Sequence, residues 1–329
     1  RHLADLTDRS FDRRRVGVCE VQQHARRFPD GGLGIVAVGQ RGHIVVSGDA
    51  GKSWAQATVP VSSDLVAVYF PTAGKGWAVG HDGVVLATAD GGDTWNRQFD
   101  GRAAGQSMAA RYAKAEPALA AEGQRFLEQG PDKPFLDVWF ENETTGYVVG
   151  AFNLIFRTED GGKSWQPWFD RTDNPNLFNL YAIRPVGDDL FIAGEQGLLL
   201  KLDRQAKRFR AIATPYKGSY FGITGKPGII IVYGLRGNVY RSTDGGANWT
   251  KVETGMAQAI TASAIAEDGR ILLATAGGAI LSSSDDGASF KRLPLERTVP
   301  AFAVLAQGKD AVIVAGNRGV RVLPVKTEN

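Results

Sequence analysis

The sequence predicts an all-β fold, namely a single seven-bladed β-propeller. This prediction rests on three observations. A box of the form Ser/Thr-x-Asp-x-Gly-x-x-Trp/Phe occurs five times. A Gly-x-x-Gly turn, complete or degenerate, occurs seven times. Positions equivalent to the box aspartate (49, 90, 160, 204, 244 and 285) lie 41, 70, 44, 40 and 41 residues apart. Four of these intervals match one four-stranded blade of about 40–45 residues. We expect one domain over residues 1–329.

The five boxes predict structural turns. Each aspartate can accept hydrogen bonds from the backbone N–H groups of its own turn, and the glycine two residues later supplies a positive φ. The aromatic residue then fills the gap between strands. An aspartate used in this way is not available for acid–base chemistry, and the spacing differs from that of a calcium loop. The aspartate and aromatic positions are Asp49 and Trp54, Asp90 and Trp95, Asp160 and Trp165, Asp244 and Trp249, and Asp285 and Phe290.

The number of turns indicates the number of blades more reliably than the number of boxes does. The turn that starts at Gly194 has Arg204 where a box aspartate is expected, but Phe209 keeps the aromatic place. The last turn is not followed by a box. The seven turns start at Gly39, Gly80, Gly150, Gly194, Gly234, Thr275 and Gly316.

Two segments fall outside the repeat. Residues 1–30 are polar and rich in arginine, and we expect them to take part in ring closure with the last blade, Phe302 to Val325. The 70-residue interval exceeds the preceding 41-residue blade by 29, so blades two and three are separated by an insertion. Residues 101–134 read as helical, with Pro117 at the start of a second helix and Gly130 at its end. This insertion either packs on the rim or binds a partner.

Apolar runs ahead of the turns predict the innermost strand of each blade. Strands that are covered on both faces carry few charges, and the small residues in the later runs suit the crowded axis of a propeller. The runs are Leu65 to Phe70, Leu136 to Phe140, Tyr181 to Ile183, Ile260 to Ala266, and Phe302 to Ala306.

The chain direction predicts which face should bind a partner. If four strands run outward in order, the boxes lie on one face, and the Gly-x-x-Gly turns and the blade-to-blade crossovers lie on the other. The insertion belongs to the second face, and functional residues of such rings are found in the loops of one face. The alternative is that these are ordinary solvated residues. The candidates are Arg41, Arg236 and Arg318 in turns, and Arg171, Arg297, Tyr216, Lys217 and Tyr220 in crossovers.

Composition excludes several function classes. The 38 Lys and Arg residues exceed the 35 Asp and Glu residues by only three, and no basic block indicates nucleic-acid binding. No 18-residue apolar run is present. Cys19 is the single cysteine, and the four histidines are scattered, so we predict no disulfide, metal or cofactor. A chain that begins at Arg1 without Met is compatible with removal of a leader and with export.

The motifs resemble a known family. Gly76-Trp-Ala-Val-Gly80 leading to Thr88-Ala-Asp-Gly-Gly-Asp-Thr-Trp95 is similar to the repeats of photosystem II stability/assembly factor-like proteins, which are Asp-box (BNR) propellers. Thr145-Gly-Tyr-Val-Val-Gly150 with Thr158 to Trp165 repeats the match. The resemblance covers about Leu33 to Val325. It implies a non-enzymatic propeller, usually exported, that assists the assembly of a membrane complex.

The same resemblance implies a partner and a location. Family members in photosynthetic organisms use an arginine-bearing face, which Arg41, Arg236 and Arg318 match by turn position only. The helical insertion and the weak first blade depart from the photosynthetic pattern. We therefore expect a relative from a non-photosynthetic bacterium, periplasmic and monomeric, with an envelope or membrane protein complex as its partner.

Two alternative functions remain open at this stage. Asp boxes are frequent in sialidase-like glycoside hydrolases, for which Asp64, Asp137 and Glu141 are candidate carboxylates. Arg27-Phe28-Pro29 is a short match to a motif of those enzymes. A non-catalytic carbohydrate-binding propeller would instead use exposed aromatic residues such as Tyr216 or Tyr220.

Overall fold

The protein is a seven-bladed β-propeller, as predicted. A computed structural model describes residues 18–27 and 33–326, with side chains from residue 34 onward. Within these ranges, six antiparallel sheets have four strands and the last has three, and each sheet is built from consecutive strands. The first strands of successive sheets contact one another around the ring, so they line the axis.

The first three blades are built as follows. Blade one contains β1 (Val18–Arg27), β2 (Leu33–Gly39), β3 (Ile44–Ser47) and β4 (Ala55–Gln56). Blade two contains β5 (Leu65–Tyr69), β6 (Gly76–Gly80), β7 (Val85–Thr88) and β8 (Asn96–Phe99). Blade three contains β9 (Phe135–Phe140), β10 (Gly146–Gly150), β11 (Ile155–Thr158) and β12 (Gln166–Pro167).

The remaining blades continue the pattern. Blade four contains β13 (Leu180–Val186), β14 (Asp189–Gly194), β15 (Leu199–Asp203) and β16 (Arg208–Ala211). Blade five contains β17 (Tyr220–Lys226), β18 (Ile229–Gly234), β19 (Val239–Ser242) and β20 (Thr250–Lys251). Blade six contains β21 (Ile260–Ile265), β22 (Ile271–Thr275), β23 (Ile280–Ser283) and β24 (Lys291–Arg292). Blade seven contains β25 (Ala303–Gln307), β26 (Ala311–Gly316) and β27 (Gly319–Pro324).

The N-terminal segment supplies the innermost strand of blade one. β1 pairs antiparallel with β2 and contacts β25 and β26 of blade seven. Blades seven and one therefore meet by packing of β1 against the last blade, whereas strand pairing links β1 to its own blade. Residues 1–17 and 28–32 of this segment lie outside the described residues.

Apolar side chains packed between adjacent sheets hold the ring together. Trp77 of blade two stacks on Phe140 of blade three, with ring centroids 3.5 Å apart. Phe209, which replaces the box aromatic residue in blade four, is fully buried. Because both faces of each sheet are covered, the middle strands carry few charges.

The insertion between β8 and β9 is a helical hairpin, as predicted. It contains α1 (Gly101–Tyr112) and α2 (Pro117–Gln129). Asp100 caps α1 by accepting hydrogen bonds from the N–H groups of Arg102 and Ala103. α2 begins at Pro117 and ends before Gly130, which has a φ of 74°.

The hairpin is part of the apolar core. Met108, Tyr112 and Phe126 are buried in one cluster with Phe135 of blade three and Phe169 in the segment after it. The hairpin therefore covers the rim at blade three. None of the helices in the described part of the chain is long and apolar enough to cross a membrane.

Candidate functional site

The five Asp boxes connect the third and fourth strands of their blades and lie on one face of the ring. In blade two, Asp90 accepts hydrogen bonds from the Thr88 hydroxyl, the Thr94 N–H and the Thr94 hydroxyl, at 2.7, 3.0 and 2.5 Å. The Thr88 hydroxyl in turn accepts the Gly92 N–H at 3.0 Å. The boxes around Asp49, Asp160 and Asp285 repeat this set of bonds. In the box around Asp244, the Asn248 side-chain amide donates in place of the second hydroxyl.

These hydrogen bonds stabilise the charged form of the carboxylates. Burial raises the pKa of Asp90, but the bonds from Thr94 and Thr88 outweigh it and lower that pKa to about 2. The backbone and side chain of Asn248 lower the pKa of Asp244 to about 2 as well. The box carboxylates are thus ionised acceptors in folded turns, an arrangement that suits a structural role and not proton transfer.

We use the name crossover face for the opposite face, which carries the turns between second and third strands and the crossovers between blades. Five of its turns share an unusual backbone. Their third residue is not glycine, yet it adopts a left-handed conformation with φ between 53° and 58°, and it is exposed to solvent. A left-handed L-residue costs about 1–2 kcal/mol. The five residues are Arg41, Asp82, Phe152, Gln196 and Arg236.

Polar residues ahead of the inner strands anchor some of these turns. The Arg41 N–H donates to the Asp64 carboxylate at 2.8 Å. The Phe152 N–H donates to the Asn179 side-chain oxygen at 2.8 Å. Bonds of this kind compensate for the backbone strain, so the turns hold exposed side chains in repeated positions.

The arginines of the turns are exposed on this face. Arg41 and Arg318 occupy the turns of blades one and seven, which are neighbours in the ring, and Arg236 occupies the turn of blade five. Arg297 and Lys217 are exposed in crossovers. Tyr216 is half-buried, and its hydroxyl donates to the Leu235 carbonyl at 3.2 Å.

Two of the candidate residues are not exposed on the crossover face. Tyr220 belongs to β17 and is fully buried, so it is not available to a partner or a glycan. Arg171 lies over the Trp168 ring at 5.0 Å, and its guanidinium donates to the carbonyl of Lys207, in the third-to-fourth-strand turn of blade four. The crossover after β12 first runs beside the outer strand of the next blade, with Thr172 bridged to Phe209. That path carries Arg171 to the outer rim.

The axis holds an open cavity of about 650 Å³. Each inner strand enters from the crossover face, so the first cavity-lining residues of these strands surround the mouth on that face. Among the side chains that the structure describes, this collar is mainly apolar and aromatic. It consists of Val66, Leu136, Tyr181, Phe221, Thr261 and Phe302.

An ion pair lies deeper in the same cavity. Asp137 is 3% exposed and accepts the Ile183 N–H at 2.7 Å and the Arg184 guanidinium. Burial raises the pKa of Asp137 and of Tyr69 beside it, and the Arg184 charge opposes both shifts. Asp137 is therefore held by its neighbours inside the wall.

The structure does not bring the three candidate hydrolase carboxylates together. Asp137 lies in the cavity wall, and Asp64 anchors a turn on the crossover face. Glu141 follows β9 at the opposite face, where it pairs with Arg204 at 3.2 Å. Of Arg27-Phe28-Pro29, the last two residues lie outside the described residues. Among the residues described, no cluster of three or more His, Cys, Asp or Glu side chains could hold a metal ion.

Two features of the crossover face were missing from the sequence interpretation. Phe152 is 50% exposed at the third position of its turn. An aromatic residue at that position of the turn could have been recognised in the sequence as a candidate binding residue. The collar was harder to read, because its residues alternate with buried ones along strands that looked uniformly apolar.

Comparison with known sequences decides the family. The family described as "Photosynthesis system II assembly factor YCF48" matches residues 30–115 and 120–279, which is most of the chain. The chain belongs to this family. The YCF48 match includes the turns of blades one to five and the four boxes among them, and it ends just past the turn of blade six.

Curated relatives match shorter segments. The photosystem II assembly lipoprotein Ycf48 of Synechococcus sp. (strain CC9902) is 31% identical over 134 residues, 38% of each chain. The chloroplastic photosystem II stability/assembly factor HCF136 of Arabidopsis thaliana is 36% identical over 67 residues, 20% of this chain and 16% of that protein. The matches thus span well under two thirds of these relatives.

Solved structures agree with the whole fold. "YCF48 bound to D1 peptide" has a TM-score of 0.66 at 16% identity, covering 95% of this chain and 94% of that one. YCF48 from Cyanidioschyzon merolae has a TM-score of 0.66 at 18% identity, covering 96% and 97%. The WD40 propeller of Doa1 scores 0.65 at 11% identity, covering 95% and 94%. At these identities the likeness concerns the fold.

Proposed function

We propose that this chain is a non-catalytic assembly factor that binds a protein partner through its crossover face. The observation that carries the proposal is the design of that face. Strained turns hold exposed side chains, among them Arg41 and Arg236, and Arg318 is exposed in the turn of blade seven; these turns surround an aromatic-lined axial mouth. Exposed arginines and aromatic residues are the side chains enriched in protein interfaces.

Family membership supports the same function. A solved structure contains a YCF48 bound to a D1 peptide, and the Synechococcus relative is a photosystem II assembly lipoprotein. By extension, we propose an extracytoplasmic, periplasmic location for this chain and a membrane or envelope protein complex as its partner. The box face would then serve stability, since its carboxylates are used within their own turns.

In-cell crosslinking in the native organism tests this function. The wild-type protein is expected to capture a specific membrane or envelope protein. The variant with Arg41→Glu, Arg236→Glu and Arg318→Glu is expected to capture that protein about fivefold less or worse, because reversed charges at an interface slow association and repel the partner.

A matched control separates a local effect from a change in net charge. Lys163→Glu on the box face, with Lys291→Glu and Arg292→Glu on the outer strand of blade six, alters three exposed cations by the same amount. This control should capture the partner normally. Equal capture by both triple variants would show that the three arginines do not bind the partner. Failure of the wild type to capture any membrane or envelope protein would count against the assembly function.

A further inference from the structure

A groove of about 730 Å³ lies at the rim of the crossover face, between the hairpin and the segment that leads from blade three to blade four. One wall is α2. The other wall and the floor come from the turn of blade three and the segment 169–177. The volume lies in the range of pockets that bind ligands. None of the residues of the sequence-predicted site lines it.

The floor of the groove is firmly built. Asn153 is 2% exposed, and its side-chain oxygen accepts hydrogen bonds from the Thr172 hydroxyl at 2.9 Å and the Asn174 amide at 3.0 Å. The Asn153 amide donates to the Phe169 carbonyl at 3.0 Å. These polar groups form hydrogen bonds with one another and with the main chain. The other side chains that line the groove are therefore the ones available to bind a ligand.

Those side chains are of two kinds. Ala118, Leu119, Phe169, Pro175 and Leu177 give the groove an apolar surface. Among the lining residues that the structure describes, the charged ones are four carboxylates, Glu116, Glu122, Asp170 and Asp173, and one cation, Arg208. The lining thus carries a formal charge of 1 − 4 = −3 on a chain whose total is +3.

Arg208 already binds neighbouring groups of the groove wall. The Arg208 guanidinium donates to Asp173 at 2.7 Å, to the Asp170 carbonyl at 2.7 Å and to the Thr172 carbonyl at 3.1 Å. The Asp170 carboxylate accepts the neutral hydroxyl of Tyr112 at 2.7 Å, and no described cation pairs with it. Glu122 pairs with Arg125, and both side chains are partly exposed at the surface, where ion pairs contribute little.

Glu116 adds to the negative charge of the groove. It precedes α2 at the N-cap position, but its side chain makes no capping hydrogen bond. The positive end of a helix corresponds to about half an elementary charge. A full carboxylate charge at the same place more than offsets it, so the mouth of the groove attracts cations.

From this combination, we propose that the groove docks a short peptide segment of a protein partner in which lysine or arginine alternates with apolar residues. The apolar side chains would contact Leu119, Phe169 and Leu177, and the basic ones would approach Glu116, Glu122 and Asp170. The proposal rests on the proposed function for the class of partner. It names a second docking site, opposite in charge to the arginine-bearing turns.

Fluorescence anisotropy with the full chain tests the proposal. The probe is a labelled octapeptide in which lysine alternates with leucine and phenylalanine, and the comparison probe has glutamate in place of lysine. Binding of the lysine probe should weaken about threefold to tenfold in the double variant Glu116→Gln with Glu122→Gln, and should weaken as salt is raised. Ala118→Arg, at an exposed position in the groove, should weaken it at least as much.

Matched controls lie on the same helix. Ala121→Arg and Glu128→Gln change exposed residues outside the groove and should bind the lysine probe as the wild type does. The triple arginine variant of the crossover face should also bind it normally, so this test is independent of the partner-capture experiment. Equal affinity for the glutamate probe, or equal weakening in groove and control variants, would overturn the proposal. Loss confined to the triple arginine variant would do so as well.

Discussion

The aspartate side chain plays three different parts in this molecule, depending on what surrounds it. Asp90 accepts hydrogen bonds from its own turn, Asp64 anchors the backbone of a neighbouring turn, and Asp137 is buried against Arg184. Two of these residues were candidate catalytic carboxylates on sequence grounds. Their hydrogen-bond partners, which come from distant parts of the chain, place them in structural roles.

The Asp boxes predict a loss of stability in acid. The pKa of Asp90 falls from its usual value of 3.8 to about 2 on folding. On acidification the unfolded chain therefore takes up protons first, so the free energy of unfolding decreases as the pH falls from about 4 to about 2. Asp90→Asn should lose about 1 kcal/mol of stability at neutral pH, after allowance for solvent screening, and should show a flatter decrease over that pH window.

Urea denaturation at a series of pH values measures this effect. Asp188→Asn, at an exposed turn position outside the boxes, is the control and should follow the wild-type pH dependence. An Asp90→Asn curve that parallels the wild type between pH 4 and pH 2 would contradict the prediction.

At the scale of the element, the turns of the crossover face are shaped by contact with crossovers. Gly237, the last residue of the turn in blade five, has a φ of 72°, and a Cβ added there would lie 1.9 Å from the Met256 carbonyl oxygen. Gly42 meets the Val61 carbonyl in the same way. The glycine is thus required both by its dihedral angle and by the backbone that passes over it.

A pair of substitutions separates these two requirements. Gly237→Ala should cost about 3 kcal/mol or more, because strain adds to a clash with backbone that cannot move freely. Gly245→Ala should cost only about 1 kcal/mol, since Gly245 has the same φ of 72° but nothing within 4 Å of the added Cβ. The midpoints of urea unfolding measure both values. Equal costs would mean that the crossover does not constrain the turn.

At the scale of the whole molecule, the hairpin is an addition to a complete ring. Its two ends meet, because a Cβ added to Gly101 would lie 2.6 Å from the Pro131 Cα. It also shares the apolar cluster of blades two and three. The ring can therefore close without the hairpin, but its removal exposes apolar surface.

Excision of the hairpin tests this view. A variant that joins Gly101 to Pro131 through two glycines should keep the β-sheet circular dichroism signal and lose helical signal. Its free energy of unfolding should fall by about 3 kcal/mol or more, because Phe135 and Phe169 lose the cover of Met108, Tyr112 and Phe126. It should also lose binding of the lysine probe. Complete unfolding of this variant would show that the ring depends on the hairpin.

Much of the architecture was readable from sequence because it is local and repeated. The boxes, the Gly-x-x-Gly turns and their spacing are short-range patterns, and they predicted seven blades even where Arg204 interrupts the box series. The helices at Gly101–Tyr112 and Pro117–Gln129 were likewise predicted by an oversized interval with proline and glycine at the right places.

By itself, then, the sequence determined the fold, the number of blades and the face that carries the insertion, since each depends on residues close together in the chain. Tertiary structure alone decided that Tyr220 is buried in an inner strand and that Arg171 lies on the outer rim. It also created the acidic groove from α2 and the segment after blade three. These outcomes depend on which distant segments pack against each other, and a repeat pattern carries no information about the path of a crossover between blades.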